Sequence, residues 1–210
     1  MALAYLVRAV GEEFRSLDLP LLGAVPEREM KVVLHMIERN VNCPPSAGMG
    51  RLFDAASALA GVALRNSYEG QAPMEFEGVG EMAETGTYPY QLLQEDGMLV
   101  IDPDPLVCAL VADVTQGAPA GVVSARFHNA VAAFLADAGS RLARQAGLGT
   151  VVLSGGCFQN QRLVEGLSSA LAAEGFQVLT HSLVPANDGG IALGQAWVAA
   201  SRLADEKNGR

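Results

Sequence analysis

The sequence predicts an α/β fold in which a small mixed sheet is flanked by several helices. Three observations carry that expectation. The last third reads strand, glycine turn, helix, strand, loop and helix, the order of neighbouring parallel strands joined by a crossover helix. Apolar residues recur at helical spacing near the start (Leu3, Leu6, Val7 and Val10; Met30, Val33, Leu34 and Ile37), as one face of a helix requires. Half of the 210 residues are hydrophobic and only 18% are charged, enough to bury a sizeable core in one domain or one generous lobe.

Taken in order, helices over 2–14 and 27–40 make a helical lead-in across residues 1–41, and the whole chain, 1–210, reads as one lobe. The Pro/Gly/Ser-rich run 42–50 is a loop, 51–62 an Ala/Leu-rich helix, and 64–86 irregular and acidic. Asp96-Gly97 is a hairpin signal between two strand-like runs, 87–93 and 98–101. Pro103 and Pro105 punctuate before a short helix, and 121–145 is the longest helical pattern. Then come a buried strand at 150–153, a tight turn at Ser154-Gly155-Gly156, a helix over Gln161–Ala173, a strand at 176–179, and a closing helix at 191–203.

Charge and cysteine content narrow the function classes. A formal charge of −9 lacks the basic footprint that binding a phosphate backbone demands, so nucleic acid is not an expected partner. Cys43, Cys108 and Cys157 lie far apart without a CxxC pair, which argues against a disulfide framework or zinc knuckle and fits reduced thiols in the cytoplasm. Arg8 interrupts the apolar start, unlike a signal peptide. No run reaches the ~18 apolar residues of a membrane helix, and no membrane association is expected.

Three segments could carry chemistry. In Leu153-Ser-Gly-Gly-Cys-Phe-Gln-Asn160, glycines after a strand let the backbone approach an anion at a helix start, and Asn160 could bond a purine or ribose. A plain tight turn is the simpler reading. In Pro185-Ala-Asn-Asp-Gly-Gly190, Asp188 is either a helix N-cap or an acid facing a metal or phosphate. In Gly50-Arg-Leu-Phe-Asp-Ala55 and Tyr68-Glu-Gly-Gln-Ala72 with Glu75, Asp54 could accept from ribose hydroxyls or simply pair with Arg51 at i−3. Gly70 could let a sugar pass closely or end a turn. His35, His128 and His181 show no metal-ligand spacing, and His128 reads as a packed or capping histidine. Cys157 sits near a helix start, which lowers a thiol pKa, but no His–Asp pair flanks it, so it reads as a packing residue.

These segments, with Arg126-Phe-His-Asn129 and Asn187-Asp-Gly-Gly-Ile-Ala-Leu-Gly-Gln195, resemble the C-terminal part of HypF-type carbamoyltransferases over nearly the whole chain. Threonylcarbamoyl and antibiotic O-carbamoyl transferases are wider relatives. The resemblance implies one lobe of the actin, Hsp70 and sugar-kinase (RNase H-like) fold. It implies an enzyme that makes carbamoyl-adenylate from carbamoyl phosphate and ATP, then passes the carbamoyl group to the C-terminal cysteine of HypE, toward the cyanide ligands of [NiFe]-hydrogenase.

By the same resemblance, Asp54, Gly70 and Glu75 contact ribose, and Ser154, Gly155, Gly156 and Asn160 line the adenine and phosphate site. Asp188 is implied as a ligand to a divalent metal (Fe, Zn or Mg) that ligands outside this chain complete, because the family's HxxxH pair is absent here. No catalytic residue is assigned. Cys157 stands where the family usually has valine. The acylphosphatase, zinc-finger and adenylate-forming segments of full HypF are also absent, so the sequence is expected to be a truncated second lobe, with the first lobe and a HypE-like acceptor as partners. Its inter-lobe face is expected to be apolar enough to favour a homo-oligomer. An O-carbamoyltransferase of small-molecule biosynthesis and a non-catalytic nucleotide- or partner-binding module remain open alternatives.

Overall fold

A computed structural model describes residues 1–207. The chain opens with helices α1 (Ala2–Val10), α2 (Pro20–Ala24) and α3 (Glu27–Arg39), followed by α4 (Met49–Leu59) and α5 (Gln71–Gly78). Strands β1 (Gln91–Glu95) and β2 (Met98–Asp102) precede α6 (Asp104–Thr115) and the long α7 (Ala120–Gln145). The remainder is β3 (Thr150–Val152), α8 (Gln161–Ala173), β4 (Gln177–Leu179) and α9 (Ile191–Lys207), with 3-10 turns at Gly156–Gln159 and Asp188–Gly190.

The mixed sheet is two separate pairs. β1 and β2 are antiparallel, with Glu95 opposite Met98. That register leaves Asp96 (φ 48) and Gly97 (φ 81) as the two left-handed residues of a tight hairpin turn. β3 and β4 run parallel, Val151 opposite Val178, joined through α8.

Several predicted boundaries moved: the strand-like run expected at 87–93 is β1, Gln91–Glu95, the helix expected at 51–62 is α4, Met49–Leu59, and β3, expected to be buried, is largely exposed. The first helix ends at Val10 because Gly11 turns to φ 68 and closes it, and residues 11–16 continue as a 3-10 turn. The run 64–86 holds a helix after all, α5. Gly70 at its cap, Pro73 in its first turn and Gly78 at its end mask its periodicity, although Pro is tolerated there because the first-turn N–H groups have no helical partner.

A single apolar cluster runs from Leu3 and Leu6 of α1 to Phe176 beside β4. Helix α7 is its axis, packing on α8, α6, α5, α4 and β3. At the centre Phe127 lies edge-on to Phe53, ring centroids 4.9 Å apart at 85°, with Phe76 tilted at 5.5 Å. Such aromatic pairs add to area burial.

The Arg126-Phe-His-Asn129 segment is spent on this architecture. Asn129 Nδ2 donates to the carbonyls of Glu84 and Gly86 at 3.2 and 2.8 Å. Arg126 bridges Asp113 and Glu84 at 2.8 and 3.4 Å, and Arg162 of α8 donates to the carbonyls of Glu81 and Glu84 at 3.0 and 3.3 Å. Together they clamp residues 79–90 onto α7 and α8. Arg162→Ala is expected to strand those carbonyls, cost about 1–3 kcal/mol, and open Glu81 and Glu84 to a glutamyl endopeptidase well below the melting temperature. Unchanged cleavage kinetics would contradict the clamp.

Candidate functional site

The expected site residues fall on three segments: α4 with the start of α5, the turn after β3, and the Asp188–Gly190 turn. Asp54 stands on α4 with its carboxylate 15% exposed, paired to Arg51 at 3.1 Å and accepting from Asn66 Nδ2 at 3.2 Å. The Oδ1 of Asn66 accepts the backbone N–H of Ala72 at 3.2 Å. Asn66 thus ties Asp54 to the first turn of α5, where Gly70 sits at φ 82 with nothing within 4 Å of its Cβ position. Glu75 is exposed one turn along, receiving Gln71 Nε2 at 2.7 Å. Asn66 was not among the residues singled out from sequence. The signal was there in Asn66-Ser67 ahead of Gly70, since an Asn before a helix start commonly caps it.

The second segment is the turn after β3. Its Gly155 has φ 109 and ψ 161, a region reserved for glycine. The N–H of Gly155 donates to Ala186 O at 2.9 Å, and Ser154 Oγ pairs with His181 Nε2 at 2.9 Å, so the turn and the loop after β4 are stitched together. Cys157 joins this turn to α4. Its thiol meets the backbone of Gly50, and burial, then the nearby Asp54 charge, pushes its pKa up. The helix-start effect expected from sequence is therefore outweighed by burial.

Gly156 follows Gly155 in the same turn. Its φ is not in the left-handed range and nothing lies within 4 Å of where a Cβ would be. Gly23, Gly50, Gly78, Gly149 and Gly194 share both properties; what sets Gly156 apart is its place in the turn after β3, between Gly155 and the Cys157 contact to α4.

Asn160 faces inward instead. It is 8% exposed, its Oδ1 caps α8 by accepting from Leu163 N at 2.8 Å, and its Nδ2 meets His128 Nε2 at 2.9 Å. It holds the turn rather than presenting a free amide to a base or sugar, a correction to its expected role. His128 is the buried histidine anticipated from its helical setting, 1% exposed.

Asp188 lies on the exposed start of the Asp188–Gly190 turn, and the capping role goes to its neighbour: Asn187 Oδ1 accepts from Gly189 N at 3.1 Å. Its carboxylate is left to other partners. Among the described residues no group of three His, Cys, Asp or Glu could hold a metal. One carboxylate oxygen falls short of the four to eight donors divalent cations take, so this chain alone does not fit a metal centre. Beside the turn, a cleft of about 380 Å³ is lined by Leu153, Phe158, Val164, His181, Leu183 and Pro185, within the size range of small-ligand sites, but by none of the expected site residues. No helix among the described residues is long and apolar enough to cross a membrane.

Residues 1–195 match the family model described as carbamoyltransferase, Kae1-like domain, second subdomain. A carbamoyltransferase HypF of Rhizobium leguminosarum is 41% identical over 172 residues, 81% of this chain and 22% of the relative. A HypF homologue of Cupriavidus necator is 37% identical over 186 residues, covering 85% of this chain and 46% of the relative. Among solved structures, full-length HypF in its phosphate- and nucleotide-bound form superposes with a TM-score of 0.87 at 38% identity, over 96% of this chain and 26% of that one. HypF of T. kodakarensis gives a TM-score of 0.73 at 25% identity, over 86% and 23%. The chain thus spans between about a fifth and a half of the length of these relatives.

Proposed function

This chain belongs to the HypF carbamoyltransferase family, and on that premise we propose that it is a nucleotide-binding lobe whose ligand is ATP or carbamoyl-adenylate. The observation that carries the reading is the meeting of α4 with the turn after β3: Cys157 touches Gly50, and Gly155 and Gly156 stand beside it with open space where a Cβ would lie, next to the stitched loop after β4. Asp54, with Asn66 and Gly70 beside it, would accept from ribose hydroxyls. The open backbone at Gly155 and Gly156 lets a phosphate approach, and Leu153, Phe158 and Leu183 offer apolar walls to a flat base. The nucleotide-bound form of the HypF relative supports this reading.

Bound carbamoyl-adenylate would supply an activated carbamoyl group on a good leaving group. The residues of this chain bind and orient it. Asp188 would add one oxygen donor to a metal whose other ligands lie on a first lobe. The acceptor is a HypE-like C-terminal cysteine, and the pathway hydrogenase maturation. The exposed apolar face of α9, with Leu193 and with Trp197 at 74% exposure, is where the first lobe would lie. In its absence the same face would favour self-association.

Calorimetric titration of the 210-residue chain with ADP tests the proposal. Asp54→Ala should weaken uptake about ten-fold or more, the worth of hydrogen bonds to a charged group. Equal affinity in variant and parent would remove Asp54 from the site.

A further inference from the structure

The polar cluster under the glycine turn has a chemistry of its own. His128 sits between α4, α5 and the Gly156–Gln159 turn, with the rings of Phe53, Phe76 and Phe127 at 5.3, 5.6 and 5.7 Å. Its Nδ1 lies 2.7 Å from Ser124 O. A carbonyl only accepts, so Nδ1 carries the proton. Nε2 is then a bare acceptor, and its partner at 2.9 Å is Asn160 Nδ2. The other half of the same amide, Oδ1, caps α8 through Leu163 N. Ser124 Oγ in turn donates to Phe76 O of α5.

This arrangement fixes every donor and acceptor. A proton on Nε2 would face the Asn160 NH2 group donor to donor. To relieve that, Asn160 would have to flip, which puts its NH2 against the Leu163 N–H and uncaps α8. Neutral His128 and the α8 cap are therefore mutually dependent.

We propose that His128 is a positioning residue for the nucleotide site: by accepting from Asn160 it holds the 154–160 turn in its ligand-ready form, and its protonation releases that turn. The inference rests on the nucleotide-site reading above and names the residue that orders the site from beneath.

The groups facing His128 make protonation costly. Phe53 of α4 and Phe76 of α5 present rings, and Arg162 of α8 adds a positive charge. Nearby carboxylates are engaged elsewhere, Glu77 of α5 receiving the Arg162 backbone N–H at 3.1 Å and Asp54 of α4 paired with Arg51. Burial, above all, pushes the His128 pKa down from 6.5 to about 4. A histidine with a depressed folded pKa contributes stability above its unfolded pKa and loses it as pH falls through the folded value. The window here is about pH 6.5 to 4.

Hydrogen exchange of the 210-residue chain, with ADP titrations alongside, tests this. His128→Gln keeps an acceptor at the Nε2 position but does not titrate, whereas His128→Ala removes it. In His128→Ala, protection over 154–163 should fall about ten-fold or more, while the α6 peptides 104–115 change little, and ADP affinity should fall with it. In the parent, turn protection corrected for intrinsic exchange should fall from pH 6.5 to 4, and His128→Gln should restore ADP affinity and abolish that pH dependence. Protection unchanged in His128→Ala, or lost equally across the whole core, overturns the positioning role. So does the same pH profile in His128→Gln. If the parent takes up no ADP while the turn still opens in His128→Ala, the nucleotide reading fails and the His128–Asn160 link stands.

Discussion

Gly156→Val is expected to weaken nucleotide uptake about a hundred-fold while leaving the fold intact. The Cβ position at Gly156 is open for 4 Å and its backbone is not left-handed, so the valine side chain meets no protein atom near its base. The folding cost should stay within about 0.5 kcal/mol, the range of surface substitutions. A ligand passing over the turn, by contrast, would collide with the new side chain, and a loss of about a hundred-fold in ADP affinity, or roughly 2.7 kcal/mol, is expected. Thermal melting and calorimetry on one protein sample separate the two effects. A variant that melts lower, or that binds as the parent does, would mean Gly156 is glycine for a reason internal to the chain. Gly155 is the internal control: at φ 109 and ψ 161, its replacement by alanine should itself cost about 1–3 kcal/mol of folding free energy.

The largest stability effect belongs to Phe127→Ala. This ring is fully buried and touches the rings of Phe53, Phe76 and His128, so α4, α5 and α7 lose their shared contact at once. Emptying such a site costs about 3–5 kcal/mol. For a chain of this length that lowers the melting temperature by roughly 10 °C. The nucleotide site should loosen as well, because His128 and Phe53, the neighbour of Asp54, both pack on that ring. A melting shift of only a degree or two would show that the aromatic cluster is not the keystone of the helical layer.

What was legible in the sequence follows from how local each signal is. Asp96-Gly97 sets its own hairpin, since two left-handed residues dictate both the turn and the register of the strands beside it. Helix α8 has an asparagine cap and a clean apolar stripe, Leu163, Leu167 and Leu171, and its bounds were read correctly. Helix α5 was hidden because Gly70, Pro73 and Gly78 look like loop residues until the tertiary fold buries Ala72 and Phe76.

The site divides in the same way. Motif order placed Asp54 and Gly70 around α4 and α5, Ser154 and Gly155 in the turn after β3, and Asp188 in the turn before α9. It does not say which way a side chain points. Asn160 was assigned to the ligand, yet as the residue before Gln161 it is also the natural cap of α8, and the buried His128 draws its amide inward. At the Asp188–Gly190 turn the cap is likewise the preceding residue, Asn187, whose side chain accepts from Gly189 N.

The most direct test of the central claim is a hydrogen-exchange footprint of the chain with and without millimolar ADP. Added nucleotide should protect 50–54, 66–75 and 154–158 together, and leave the β1–β2 hairpin unchanged. Protection confined to one of those segments, or spread to the hairpin instead, would contradict a single nucleotide platform built from α4, α5 and the turn after β3.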